Sequence, residues 1–349
     1  MAETRNAPVE MSNPPHQGIL RQENLVLRTI FGYANEKHTS PSASTGSLPS
    51  FLGECFPGSS MKDLLLVAID VDAPQSYNKA NIEQHLLHIG ISILDSRHVR
   101  DLVHVGTHDA PVAFDRFITN YQFVIGNSHP ARAYTASKKF LWGESEPICR
   151  SELQTRFDGL ISGRDFVAVL HGTCLDLRIL NDLNVTSLSR AVYIFDTNKV
   201  AQWPLQLHYR LSLRTLCETL GIPFTSGHAA GNDAHFALRA LLMLAVRDAQ
   251  RLTRVYGYAS ISAEVVLQRL QDIALAPRPV SEEDISATAR IESHRQRKVA
   301  NLEKKWLKRA MKQARKKQRQ AIAGASDDFS DKEALDEEAI RAELERRHF

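Results

Sequence analysis

Residues 63–70 read DLLLVAID, six apolar side chains in succession between two aspartates and without helical period. A run of that length and composition fits a strand buried on both faces at the centre of a sheet. The chain leaves it through VDAP (71–74). Side chains two apart on a strand share a face, so Asp70 and Asp72 are expected to project together from its C-terminal end. Two carboxylates side by side repel, and a hard cation is the usual compensation. Taken alone the pair also suits the opening of a turn, since Pro74 follows.

Working outward, HLLHIGISILD (85–95) and HVRDLVHVG (98–106) alternate in part and predict two further strands in antiparallel succession. A looser region holds YQFVIGN (121–127), and a helix is expected over about 147–162, ending at Gly163. DFVAVLHG (165–172) reads as another buried strand, CLDLRILNDL (174–183) as a helix and AVYIFDT (191–197) as one more strand. SLRTLCETLG (212–221) is a short helix with Ser212 as N-cap and Gly221 as its stop. AGNDAHFALRALLMLAVRDAQRL (230–252) is a long helix, apolar around much of its circumference and therefore largely buried. Consecutive strands followed by alternating helix and strand predict an α/β fold, a mixed sheet with helices on its faces.

Of 349 residues, 43% are hydrophobic and 24% charged, an ordinary balance for a chain that can bury a core. No apolar run reaches the length of a membrane span, so no membrane partner is expected. The opening MAETRNAPVEMSNPP has no apolar segment behind a basic start, and the four cysteines form no CxxC pair. Both point to an intracellular protein, nuclear or cytoplasmic, that is not secreted and carries no disulfide framework. Residues 1–60, rich in proline and serine, read as mostly disordered, with ENLVLRTIFGYA (23–34) as a local exception able to dock on the body as a helix or strand. Residues 256–289 read as a helical extension and linker.

Two more acidic positions stand out. Asp176 follows a buried strand and opens a helix, where an acid also favours the helix dipole. Asp233 lies in the first turns of the long apolar helix, five residues after His228, which Gly227 and Gly231 leave free to swing over a site. As isolated features these read equally as a capping acid and an exposed loop histidine.

Taken together they form a constellation. VAIDVDAP (67–74), HGTCLDLRIL (171–180), FDTNKVAQ (195–202) and SLRTLCETLGIPFTSGHAAGNDAHFALRALL (212–242) resemble, in order, the motifs of the DEDDh branch of the 3′–5′ exonuclease superfamily. The resemblance covers roughly 61–255 and implies a ribonuclease H-like fold. The insertion with FLWGESEP (140–147) and a body of zero net charge look most like a fungal branch. The resemblance implies hydrolysis of a terminal phosphodiester of RNA or single-stranded DNA with two Mg2+ ions, Mn2+ being an alternative. It further implies that Asp70, Asp72, Asp176 and Asp233 hold the ions and that His228 is the general base. His171, Thr197 and Asn232 are candidates for support behind that set. One position departs from the pattern: the family has glutamate where this chain has Asp72, a side chain roughly 1.5 Å shorter, one carbon–carbon bond. That departure leaves a second reading, a weakened relative serving as a nucleic-acid-binding or adaptor protein. A glycosyltransferase, which also uses a strand-end DxD, leaves Asp176 and the His228–Asp233 pair unexplained.

Charge is segregated along the chain. Residues 1–280 hold 26 basic and 26 acidic side chains, whereas 290–320 hold 13 basic and 2 acidic ones. That segment lacks Pro and Gly and predicts a basic helix, with Val299, Leu302, Trp306 and Ala310 as a thin apolar stripe. Lys304, Lys305, Lys308, Arg309, Lys312, Arg315, Lys316 and Lys317 are its candidate phosphate contacts. The pairs Lys304/Lys305 and Lys316/Lys317 also resemble a bipartite nuclear import signal. Residues 321–349 form an acidic C-terminal tail, which, like the arm, suits a protein partner.

Overall fold

The run at 63–70 supplies the first six residues of an inner strand of a six-stranded sheet. In the computed structural model, which describes residues 18–33, 51–74, 76–104, 113–126, 139–257 and 261–324, the strands are β1 (Leu65–Asp72), β2 (Leu87–Asp95), β3 (Ile118–Ile125), β4 (Ser145–Pro147), β5 (Phe166–Leu170) and β6 (Tyr193–Asp196). Their order is β4-β3-β2-β1-β5-β6. β1 runs antiparallel to β2 and parallel to β5, so the sheet is mixed as expected. The helices are α1 (Gln22–Phe31), α2 (Ser96–His104), α3 (Arg150–Ile161), α4 (Thr173–Asp182), α5 (Thr197–Gln202), α6 (Leu213–Leu220), α7 (Ala230–Tyr256), α8 (Ile261–Ala274) and α9 (Glu282–Gly324).

Alternation along β1 divides the core. Leu66 and Ala68 share one cluster with Leu238, Leu241 and Leu242 of α7. Leu65, Val67 and Ile69 share another with Phe157 of α3 and Ile179 of α4. Both faces of β1 are therefore covered, which is why its apolar run is continuous rather than alternating. Asp70 and Asp72 fall in the α7-side series, at the point where the strand runs out of core. Contacts separate the chain after Asp284 into this body and a C-terminal unit that carries most of α9.

Two expectations need correction. Residues 98–104 belong to a helix, α2, not to a third strand. Val99 and Leu102 are buried while Arg97 and Asp101 are exposed, a three-residue spacing that a short window also reads as partial alternation. The third strand is instead β3, which pairs antiparallel with β2 and begins at Ile118. Within residues 1–60, the exception read at 23–34 is α1, a helix docked on the body as expected; 51–60, where Leu52 and Phe56 are buried, depart from the disorder expected there, and 1–17 and 34–50 lie outside the described residues. Val26, Leu27 and Ile30 of α1 are fully buried, and Asn24 donates to the Val200 carbonyl at 2.9 Å. Residues 261–274, read as part of a helical extension and linker, form the helix α8, which packs in the body: Leu270 and Ile273 are fully buried, and Arg269 donates to the Leu102 carbonyl at 3.2 Å. The expected helix near 147–162 is α3, and Ser212 and Gly221 cap α6 as read, Gly221 in the left-handed region at φ 76°. Among the described residues no helix is long and apolar enough to cross a membrane.

A candidate site where four acids meet

β1 and α7 are brought together by a residue without a side chain. Asp70 pairs across the sheet with Gly90, and a Cβ at Gly90 would lie 1.9 Å from the Ala230 carbonyl oxygen. Only glycine lets the first turn of α7 press on β2 there, and that turn delivers Asp233 to Asp70. Further contacts fasten the turn. Gln122 accepts the Gly231 N–H at 2.9 Å. Fully buried Asn232 accepts the Leu141 N–H at 2.9 Å and donates to the carbonyls of Lys139 and Ser226 at 2.7 and 2.8 Å. Asn232 thus holds the insertion and the His228 loop to the helix start. Replacing Gly90 by alanine is expected to cost about 1–3 kcal/mol, the usual penalty of overpacking. A lowered melting temperature together with weaker Mn2+ binding would show it, and an unaffected Mn2+ affinity would contradict this positioning.

Asp233 sits inside that turn, and its Oδ2 accepts the backbone N–H of His228 at 3.0 Å. His228 is exposed and left-handed at φ 65°, an uncommon conformation for a residue with a side chain. On the other side, α4 starts after left-handed Gly172, and Asp176 in its first turn accepts the Val71 N–H at 3.3 Å. Asp176 therefore docks on the strand between the two acids of β1. Asp72 stands at the end of β1 with its side chain 46% exposed.

The charges of the other three acids reach the Asp70 carboxyl. Burial, then the negative charges of Asp233, Asp176 and Asp72, push the Asp70 carboxyl well above the usual carboxylate range. Asp233 is raised to about 6, chiefly by burial, against the opposing pull of the His228 N–H. Asp176 is likewise raised to about 6 by burial, against its bond from Val71. Asp70, Asp233 and His228 line a cleft of about 330 Å³ together with His171, Arg214 and Phe224. The sequence model of the DEDDh_C family, the DNA polymerase III subunit epsilon-like C-terminal domain, matches residues 65–244. The chain belongs to the DEDDh family. No curated protein matches it.

This family acts on nucleic acid and generally uses divalent metals, and the residues here fit such ions. An all-carboxylate donor set is the chemistry that hard cations select, and the crowding of negative charge on buried Asp70 is what a cation would relieve. Among the described residues no three His, Cys, Asp or Glu side chains are already arranged to hold an ion. The geometry explains this in part: one oxygen each of Asp176 and Asp233 is turned to a backbone N–H.

In the DEDDh domain His171 supports the cleft wall. Its Nδ1 meets the Thr197 hydroxyl at 2.8 Å and its Nε2 the Leu211 carbonyl at 3.0 Å, and burial holds its pKa below the usual histidine range. The Leu211 carbonyl can only accept, so Nε2 donates to it, and burial favours the neutral ring. Sequence reading missed His88, which lies opposite Asp72 in the register, with Nδ1 3.8 Å from Asp72 Oδ2 and Nε2 buried without a partner among the described residues. Only the β1–β2 register could have revealed it. The candidate phosphate contacts from Lys304 to Lys317 all lie on α9 in the C-terminal unit, where Leu302 and Trp306 are also exposed.

Proposed function

We propose that this DEDDh protein is a 3′–5′ exonuclease that removes nucleotides from the end of RNA or single-stranded DNA by a two-metal mechanism. The observation that carries the reading is the buried Asp70 carboxyl with the charges of Asp72, Asp176 and Asp233 around it and His228 at the cleft rim. Asp70, Asp72, Asp176 and Asp233 would hold two Mg2+ or Mn2+ ions. When bound, such ions supply polarisation of the phosphate and stabilisation of the leaving oxygen. His228 takes the proton from the attacking water as general base. Its loop position and exposure leave the ring free to meet solvent and substrate. Asp233 would act twice, helping to hold the ions while its Oδ2 anchors the His228 backbone.

The test is incubation with 5′-labelled RNA and DNA oligomers in Mg2+ and in Mn2+. Stepwise shortening by single nucleotides is expected, and His228→Ala should slow it by roughly 100- to 10,000-fold, the range of general acid–base catalysis. Binding without shortening in either metal would overturn the exonuclease reading in favour of the adaptor. The arm at 290–320 would supply the phosphate attraction that residues 1–280, with balanced charge, lack. Deleting it is expected to flatten the salt dependence of oligomer binding, whereas an unchanged slope would reject that role.

A further inference from the structure

Among the residues lining the cleft, Arg214 is the single arginine or lysine. It lies in the first turn of α6, exposed, with its guanidinium carbon 4.9 Å from the centroid of the Phe224 ring. Phe224 is itself held against fully buried Phe236, ring centroids 4.6 Å apart. Among the described residues no carboxylate lies within ion-pair distance of Arg214. Ser212, its neighbour in the cleft, is already used to cap α6 through the Thr215 N–H at 3.2 Å.

We infer that Arg214 binds a backbone phosphate of the strand entering the cleft and so positions the substrate against the acids. This rests on the exonuclease reading and names a residue of the substrate site. The physical case is one of complementarity. The cleft otherwise presents Asp70 and Asp233, which repel a polyanion. A guanidinium lying over an aromatic ring is oriented by it, while its N–H groups remain free to make two parallel bonds to a phosphate. Such charge-assisted pairs are about twice as strong as neutral hydrogen bonds. An arginine that served only to support the fold would be expected to spend its donors on carboxylates or carbonyls of the body, as Arg239 does on the Ala276 carbonyl at 2.8 Å.

The experiment uses the full chain and a 5′-fluorescent tetranucleotide of RNA or DNA, short enough to leave few phosphates for surfaces outside the cleft. Steady-state shortening is measured alongside anisotropy binding to the metal-free protein. Arg214→Ala is expected to raise KM and Kd by roughly 10- to 100-fold, the range of a hydrogen bond to a charged group, with kcat little changed. The slope of log Kd against log salt should fall by about 1, as for the loss of one phosphate contact. Arg214→Lys should restore the salt slope but only part of the affinity, because lysine keeps the charge and loses the fork. A fall in kcat at constant KM, or an Arg214→Ala salt slope equal to wild type, would overturn the inference. A wild type that binds but never shortens the oligomer would sink the exonuclease reading, and Arg214 would then stand or fall on the Kd and salt slope alone. A wild type that neither binds the oligomer at low salt nor shortens it in Mg2+ or Mn2+ would overturn both.

Discussion

Asp70→Asn is expected to make the metal-free protein more stable while removing its activity. In the wild type a buried carboxyl faces three others, and its charged form is disfavoured first by burial and then by those neighbours. Asparagine keeps nearly the same shape and hydrogen-bonding capacity without the charge. Relief of an unmatched buried polar group is worth roughly 1–3 kcal/mol, which for a body of this size raises the melting temperature by roughly 2–12 °C. In Mn2+ the order should reverse. The wild type gains about 2.7 kcal/mol at a metal concentration 100 times its dissociation constant, whereas Asp70→Asn gains little. Shortening of oligomers should fall by at least roughly a thousandfold, about 4 kcal/mol of lost transition-state stabilisation. A variant no more stable than wild type without metal, and equally stabilised by Mn2+, would mean that Asp70 is not where the charges meet.

The second large effect lies away from the cleft. Arg28 of α1 and Asp248 of α7 are 2% and 0% exposed, joined by bonds of 2.7 and 2.9 Å, and the Tyr33 hydroxyl donates to the same carboxylate at 2.8 Å. Burial would lower the arginine's pKa, but the hydrogen bond and charge of Asp248 outweigh it and raise it. Replacing Arg28 by leucine strands the carboxylate in the core. Breaking such a pair costs about 3–5 kcal/mol. That corresponds to roughly 6–20 °C in melting temperature. Replacing both partners by leucine should recover much of this, since an apolar pair of similar volume avoids the desolvation of two charges. Thermal melts of the two single variants and the double variant decide it. A double variant no better than the sum of its single losses would show that the pair is not the bond holding α1 down.

The positions that sequence reading recovered are those whose local pattern and spatial role coincide. The 64–69 run is apolar because β1 is covered on both faces, and Asp70 and Asp72 end that run where the core ends. Ser212 and Gly221 bracket α6 because capping chemistry is local. What escaped was set by partners far along the chain. α1 reads as a segment able to dock, but its anchor does not, because the partner that buries Arg28 is 220 residues away. Residues 98–104 carry apolar side chains at spacings that suit either period, and the surface beneath Val99 and Leu102 selects the helix. Gly90 looks like any strand glycine until the Ala230 carbonyl is placed above it. Arg214 reads as a helix surface residue, and only the approach of Phe224 and Asp233 puts it in a cleft.

The central claim is that Asp70, Asp72, Asp176 and Asp233 share divalent ions. Crystals of the wild type grown with Mn2+, with diffraction recorded at the manganese absorption edge, test it most directly. The expected result is anomalous peaks beside β1, each within about 2.5 Å of oxygens from these carboxylates, and absent from Asp70→Asn. No peak among the four acids at saturating Mn2+, with the protein folded as described, would contradict the claim.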